Sequence, residues 1–180
     1  GTGTVHGILA YDGAYISTGN HLDVNVSGGT SGVRALEVGF TGANLSVGSD
    51  TNVVANSVGG TALGVFVYYG GLFNAQENLN VQVDSTTAAY GLYARDSDSK
   101  IQLNGATVGA SKNGIAGAGS SLVAVNGATI QGNLGKYDLT GNVVSGSGAI
   151  SVEFDQDSAF TGASQITGTG VINFDMTDTT

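Results

Sequence analysis

The sequence contains no cysteine, no proline and no tryptophan. Without cysteine there is no disulfide, no thiolate nucleophile and no cysteine-ligated metal. The compartment stays open, because stacked repeats hold together without crosslinks. Charge is also scarce: 11% of residues are charged, with 5 basic against 14 acidic and a net charge of −9. That sign excludes binding to a nucleic-acid backbone and makes an anionic membrane surface a poor direct partner. No apolar run is long enough for a membrane-spanning helix, so direct membrane insertion of this segment is not expected. No basic-then-apolar leader opens the chain, which reads as a mature or excised segment.

What is present is glycine, 31 of 180 residues, and a 41% apolar fraction. That much apolar surface argues against disorder. The glycines lack a three-residue period, which excludes collagen. Two segments recur at a fixed interval. Asn104-Gly105-Ala106-Thr107-Val108 returns as Asn126-Gly127-Ala128-Thr129-Ile130 (104 to 126, an interval of 22), and GAISVEFD from Gly148 returns as GVINFDMT from Gly170 (148 to 170, again 22). A fixed period of this size marks a stacked repeat.

Seven short stretches resemble one another, starting at Gly7, Gly32, Gly64, Gly91, Gly114, Gly148 and Gly170. Each opens a coil with three period-two alternations, such as Val65/Val67, Phe73/Ala75 and Leu79/Val81/Val83. Such alternation marks strands with one buried face, and Gly, Asn, Asp and Ser between them suit tight corners. The expected fold is all-β: a right-handed parallel β-helix of about seven three-stranded coils, forming one segment over residues 1–180. A β-sandwich or lectin-like barrel is the alternative, weakened by the sequence echo and the lack of regularly spaced hairpin dipeptides. Neither end shows an amphipathic capping helix, so the natural protein is expected to continue on at least one side. The expected inward column pairs Ile8/Ala10, Val33/Ala35, Val65/Val67, Leu92/Ala94, Ile115/Gly117, Ile150/Val152 and Ile172/Phe174.

That phase leaves an outward stripe in the first four coils: Tyr11, Arg34, Leu36, Phe66, Tyr68, Tyr93 and Arg95, with Leu9 beside them. A contiguous exposed apolar patch marks a contact surface, and aromatic faces stack on sugars or partner rings. An insertion or neighbouring segment covering the stripe, or strand propensity alone, would account for it without binding. A second candidate is a polar ladder in which Asn104 stacks on Asn126 and Thr107 on Thr129, each hydrogen bond being worth about 1 kcal/mol net.

Chemistry is hard to place. Asp96/Asp98 and Asp155/Asp157 are the candidate i, i+2 acidic pairs for the two carboxylates a glycosidase needs, and both sit in corner-like sequence. His6 and His21 lack evident partners. No calcium-loop spacing, metal cluster, phosphate-binding glycine motif or cofactor motif appears. The expectation is a non-enzyme without cofactor.

The G-[aliphatic]-x-[Ala/Val] coil starts, with GANLSV from Gly42, SKIQLNGATV from Ser99 and SSLVAVNGATI from Ser120, resemble the passenger region of Gram-negative bacterial autotransporters, especially self-associating adhesins. The resemblance implies export across the outer membrane to the cell surface, sometimes with extracellular release or glycosylation. It also implies self-association with another passenger in aggregation and biofilm formation, or attachment to a host surface protein or glycan. The chain lacks the translocator barrel and the serine-protease motif, so no ligand transfers residue by residue. A polysaccharide-active enzyme and a passive stalk are the competing readings.

Overall fold

The computed structural model describes residues 3–161 and 166–176. The chain winds through successive coils. The first holds β1 (Thr4–Tyr11), β2 (Tyr15–Ser17) and β3 (Asp23–Gly28); the second holds β4 (Gly32–Gly39), β5 (Asn44–Val47) and β6 (Asn52–Ser57). The third is β7 (Thr61–Tyr68) and β8 (Leu72–Ser85). The fourth is β9 (Ala88–Arg95) and β10 (Lys100–Lys112), followed by the short β11 (Ile115–Ala116). The fifth is β12 (Ser120–Val125), β13 (Thr129–Gly135) and β14 (Tyr137–Thr140). The sixth is β15 (Asn142–Gly146), β16 (Ala149–Phe154) and β17 (Ala159–Thr161); β18 (Ile166–Gly168) and β19 (Val171–Met176) belong to the seventh.

Each strand pairs in parallel with its counterpart one coil away, so the fold is a parallel β-helix. The first face is the sheet β1-β4-β7-β9-β12-β15-β18. The second runs β2-β5-β8-β10-β13-β16-β19, and the third carries β3, β6, β14 and β17. Because β8 and β10 turn the corner without a break, the second and third faces join into one bent sheet. The antiparallel β10–β11 contact is a small hairpin outside the winding.

The bore is lined by aliphatic stacks. Ile8, Leu36, Val65, Leu92, Leu122 and Val143 lie rung over rung on the first face. Leu45, Phe73, Ile101, Ile130, Ile150 and Ile172 do so on the second. Val24, Val53, Val81, Val108 and Leu139 form the third stack. Burying each such side chain contributes roughly 1.5–3 kcal/mol. Late in the chain aromatics take over: Tyr137, Phe154 and Phe174 meet edge to face at 5.7 and 5.1 Å. The buried Tyr137 hydroxyl donates to the Asn133 carbonyl at 2.6 Å.

Four of the seven expected coil starts fall elsewhere than in the first-face column, beginning with the second. Gly7 is matched not by Gly32 but by Ala35, because Gly32 pairs with Thr4 and Thr61. Gly7, Ala35, Gly64 and Gly91 hold an inward bulge position where space is short: a Cβ on Gly64 would collide with Val81 Cγ1, and one on Gly91 with Val108 Cγ1. Alanine also fits at this position in the second coil. Leu36 therefore lies in the bore, fully buried, and is not part of any outward stripe; Glu37 takes the outward place. The starts at Gly148 and Gly170 belong to the second face, and Ile115 lies exposed in the hairpin.

The two sequence echoes also separate. Gly148–Asp155 and its partner stretch do lie on adjacent rungs, with Ile150 over Ile172. The Asn-Gly-Ala-Thr echo does not. Ile101 pairs with Ile130, which leaves Asn104 beside Asn133 rather than Asn126. Asn126 and Gly127 turn the corner between the first and second faces, with φ of 54° and 84°. Gly105, with φ of 84°, turns the next corner. One pentapeptide serves two different corners because both need a left-handed residue followed by strand formers. Coil length varies as well: hydrogen bonds between adjacent rungs span 28 residues at Asn52–Asn80 and 21 at Thr140–Thr161.

Candidate functional site: an aromatic and arginine face outside the bore

Six of the seven stripe residues converge on the outer surface of the first face, over coils one to four. Register brings together three outward columns: His6, Arg34, Leu63 and Tyr90; then Leu9, Glu37, Phe66 and Tyr93; then Tyr11, Gly39 and Tyr68. Leu63, Phe66 and Tyr68 form an apolar cluster of their own, separate from the bore, with Phe40, Tyr90 and Tyr93 against it. The stripe is not bare. Phe66 and Tyr68 are buried by their neighbours, whereas Tyr11 is 46% exposed and Tyr69 49%.

Ring contacts are dense. Phe66 stacks on Tyr68 at 4.7 Å, and Phe40 meets Tyr11 at 4.7 Å and Tyr69 at 5.2 Å. Two cations complete the cluster. The Arg34 guanidinium lies 5.0 Å and that of Arg95 5.4 Å from the centre of the same Phe66 ring. Arg95 also lies over Tyr68 and Tyr69. Each such contact contributes about 0.5–2 kcal/mol, depending on desolvation.

One buried acid sits beneath. Glu37 is 1% exposed. Its Oε1 accepts a hydrogen bond from Arg34 Nη1 at 2.6 Å. Its Oε2 faces His6 Nδ1 at 2.5 Å without the alignment of a hydrogen bond. The Tyr68 hydroxyl lies against the same carboxylate. Burial first, and the Glu37 charge second, push the Tyr68 phenol up to about 12. Burial likewise raises Tyr93, with Arg95 opposing. Both histidines thus have carboxylate neighbours one coil on, since His21 Nδ1 lies 3.5 Å from Asp50 Oδ2.

The corner that follows the first face carries a left-handed residue in six successive coils: Asp12, Phe40, Tyr69, Asp96, Asn126 and Ser147. Asp, Asn and Ser tolerate that conformation through local hydrogen bonds. Phe40 and Tyr69, at φ of 73° and 49°, do not share that compensation. A bulky residue there is a conformational outlier costing about 1–3 kcal/mol. Both outliers belong to the outward cluster. Sequence reasoning missed Phe40, Tyr69, Tyr90 and Glu37; the signal available was an aromatic at a corner position that other coils fill with Asp or Asn.

The polar ladder is differently composed from the one expected. Asn104 Oδ1 accepts from Asn133 Nδ2 at 2.7 Å, and Asn80 Nδ2 donates to Asn52 Oδ1 at 2.8 Å. Thr107 pairs with Asn80 and Asp138, and Thr129 with Lys100 and Ala149. The Asn126 backbone N–H donates to Ser147 Oγ. Asn104 and Asn126 do not meet, nor do Thr107 and Thr129, because the rungs are offset as described.

The acidic pairs are engaged in corners. Asp155 Oδ1 accepts from the Asp157 backbone N–H and the Ser158 hydroxyl, both at 3.0 Å. Asp96 and Asp98 both adopt left-handed backbone, and Asp96 lies 3.3 Å from Arg95 Nε. Among the described residues no group of three or more His, Asp or Glu side chains is placed to hold a metal ion. An apolar cavity of about 340 Å³ near Phe154, Phe160 and Phe174 is lined by no charged side chain among the described residues.

An all-β parallel solenoid of this kind is consistent with autotransporter-type passenger regions in general. Comparison with protein-family models, with curated proteins and with solved structures finds no match for this chain.

Proposed function

We propose that this chain is part of a surface-attachment module of the adhesin type, exported to a Gram-negative cell surface, which holds a partner rather than transforming it. The observation that carries this reading is the pair of strained aromatics, Phe40 and Tyr69, both in ring contact with Tyr68 on the outer face, where Tyr69 also lies under Arg95. Strain that a fold does not need accumulates where a surface is used. The partner is a second passenger, giving aggregation, or a host-surface protein or glycan. A passive stalk is the second reading, favoured by the burial of Phe66 and Tyr68 within their own cluster.

Sedimentation velocity and a cell-adhesion assay on Tyr11→Ser and Tyr69→Asn decide between the two. Loss of association or adhesion without a fall in melting temperature supports attachment. Unchanged behaviour in both assays leaves the stalk.

A further inference from the structure

The chain has only two arginines, Arg34 and Arg95, and they sit two coils apart against opposite parts of one ring system. Between them a cleft of about 250 Å³ opens on the outer surface of the first face. Leu63 and Phe66 floor it, and Tyr90 and Tyr93 wall it. Neither guanidinium is saturated by its acid. Arg34 gives Nη1 to Glu37, and Arg95 Nε lies near Asp96 without a formed hydrogen bond. A guanidinium carries five donors in a planar fork suited to a carboxylate. We propose that this cleft binds a carboxylate-bearing sugar of an acidic polysaccharide, with its ring against the half-buried Tyr90 and Tyr93 and its carboxylate between Arg34 and Arg95.

Two features favour that ligand class. The cleft is concave and of monosaccharide size, with an apolar floor and a few convergent polar groups, the usual make-up of a small-ligand site. Aromatic walls suit the C–H face of a pyranose. The net charge of −9 works against polyanions at long range, so affinity for one rests on the local arginine pair. This inference rests on the attachment reading and adds the identity of what is attached to.

The test is isothermal titration of the full chain with trigalacturonic acid, its methyl ester and hexaglutamate. The ester keeps the sugar rings and removes the charge; the peptide keeps the charge and removes the rings. Binding of the acid is expected to weaken about tenfold or more on esterification, and by the same factor in Arg95→Gln. Arg34→Gln is made together with Glu37→Gln, because the single change would strand a buried carboxylate; the pair is expected to lose binding equally. Lys100→Gln and Lys136→Gln remove the same charge elsewhere and are expected to leave binding unchanged. Equal affinity for the ester or for hexaglutamate, or equal loss in the lysine variants, overturns the proposal. Absence of trigalacturonate binding, while Tyr69→Asn still abolishes adhesion, overturns the ligand class and leaves the attachment reading standing.

Discussion

The ring of Tyr68 lies across Gly39 of the preceding coil, so close that a Cβ on residue 39 would come within 2.5 Å of Tyr68 Cζ and 2.6 Å of its hydroxyl. Gly39 thus lets the tyrosine lie down between Phe66 and Glu37 instead of standing out into solvent. Gly39→Ala is expected to lift the ring and break its stack on Phe66, at a cost of about 1 kcal/mol. Tyrosine fluorescence and thermal unfolding would register this, while hydrogen exchange in the bore strands stays as in the parent. An unaltered Tyr68 environment would show that the close approach does not hold the ring down.

Tyr69→Asn exchanges a strained aromatic for a residue that accepts the left-handed corner, as Asn126 does in a later coil. Stability is expected to rise by about 1 kcal/mol, an increase in melting temperature of a few degrees. A fall in melting temperature would mean that the Tyr69 ring contacts outweigh the backbone strain.

Tyr68 sets a pH dependence. Its pKa is raised from the ordinary tyrosine value of 10.0 to about 12 in the folded protein. Below pH 10 the phenol is protonated in both folded and unfolded chains, and its contribution to stability is fully present. Between pH 10 and 12 the unfolded chain loses its proton first, so stability falls as pH rises. Ultraviolet titration of tyrosinate should show a late step that disappears in Tyr68→Phe. A titration in which that variant leaves the late step intact contradicts the assignment.

Leu36→Ala tests the phase of the winding. From the bore, its loss is expected to cost 2–5 kcal/mol, the usual range for a buried leucine. A residue on the outer stripe would cost far less, within about 0.5 kcal/mol. Urea unfolding separates the two outcomes.

Gly91→Ala places a methyl group against Val108 Cγ1 and 2.8 Å from the Ser121 carbonyl oxygen. Overpacking of that kind costs about 1–3 kcal/mol. Retention of the parent denaturation midpoint would show that the first and third faces have room to separate.

Much of the winding was legible because each strand states its own alternation. Val65/Val67, Phe73/Ala75 and Val81/Val83 were all assigned inward and all line the bore. The pairing between rungs was less legible. Corner chemistry repeats at every corner, so the Asn-Gly echo at 104 and 126 measured the distance between two corners of different kind. The Gly148 and Gly170 echo succeeded because both segments include the strand itself, from Ile150/Val152 to Ile172/Phe174.

The site shows the same division. Parity alone places Arg34, Phe66, Tyr68, Tyr93 and Arg95 outside the bore, since a side chain two residues from an outward one is outward too, but it does not show that Phe66 and Tyr68 are buried there by their neighbours. Leu36 failed because the bulge at Ala35 adds one residue and reverses the parity. Phe40 and Tyr69 stayed hidden because a corner residue belongs to no alternation.

By itself the sequence determined that this protein is a stack of short strands with an aliphatic interior, since alternation and glycine placement are properties of one strand at a time. Only the tertiary structure decided which coil lies over which residue. That register depends on space inside the bore, where alanine and glycine are interchangeable at one rung and not at the next. It is this register that carries two arginines, distant in the chain, to a single phenylalanine ring.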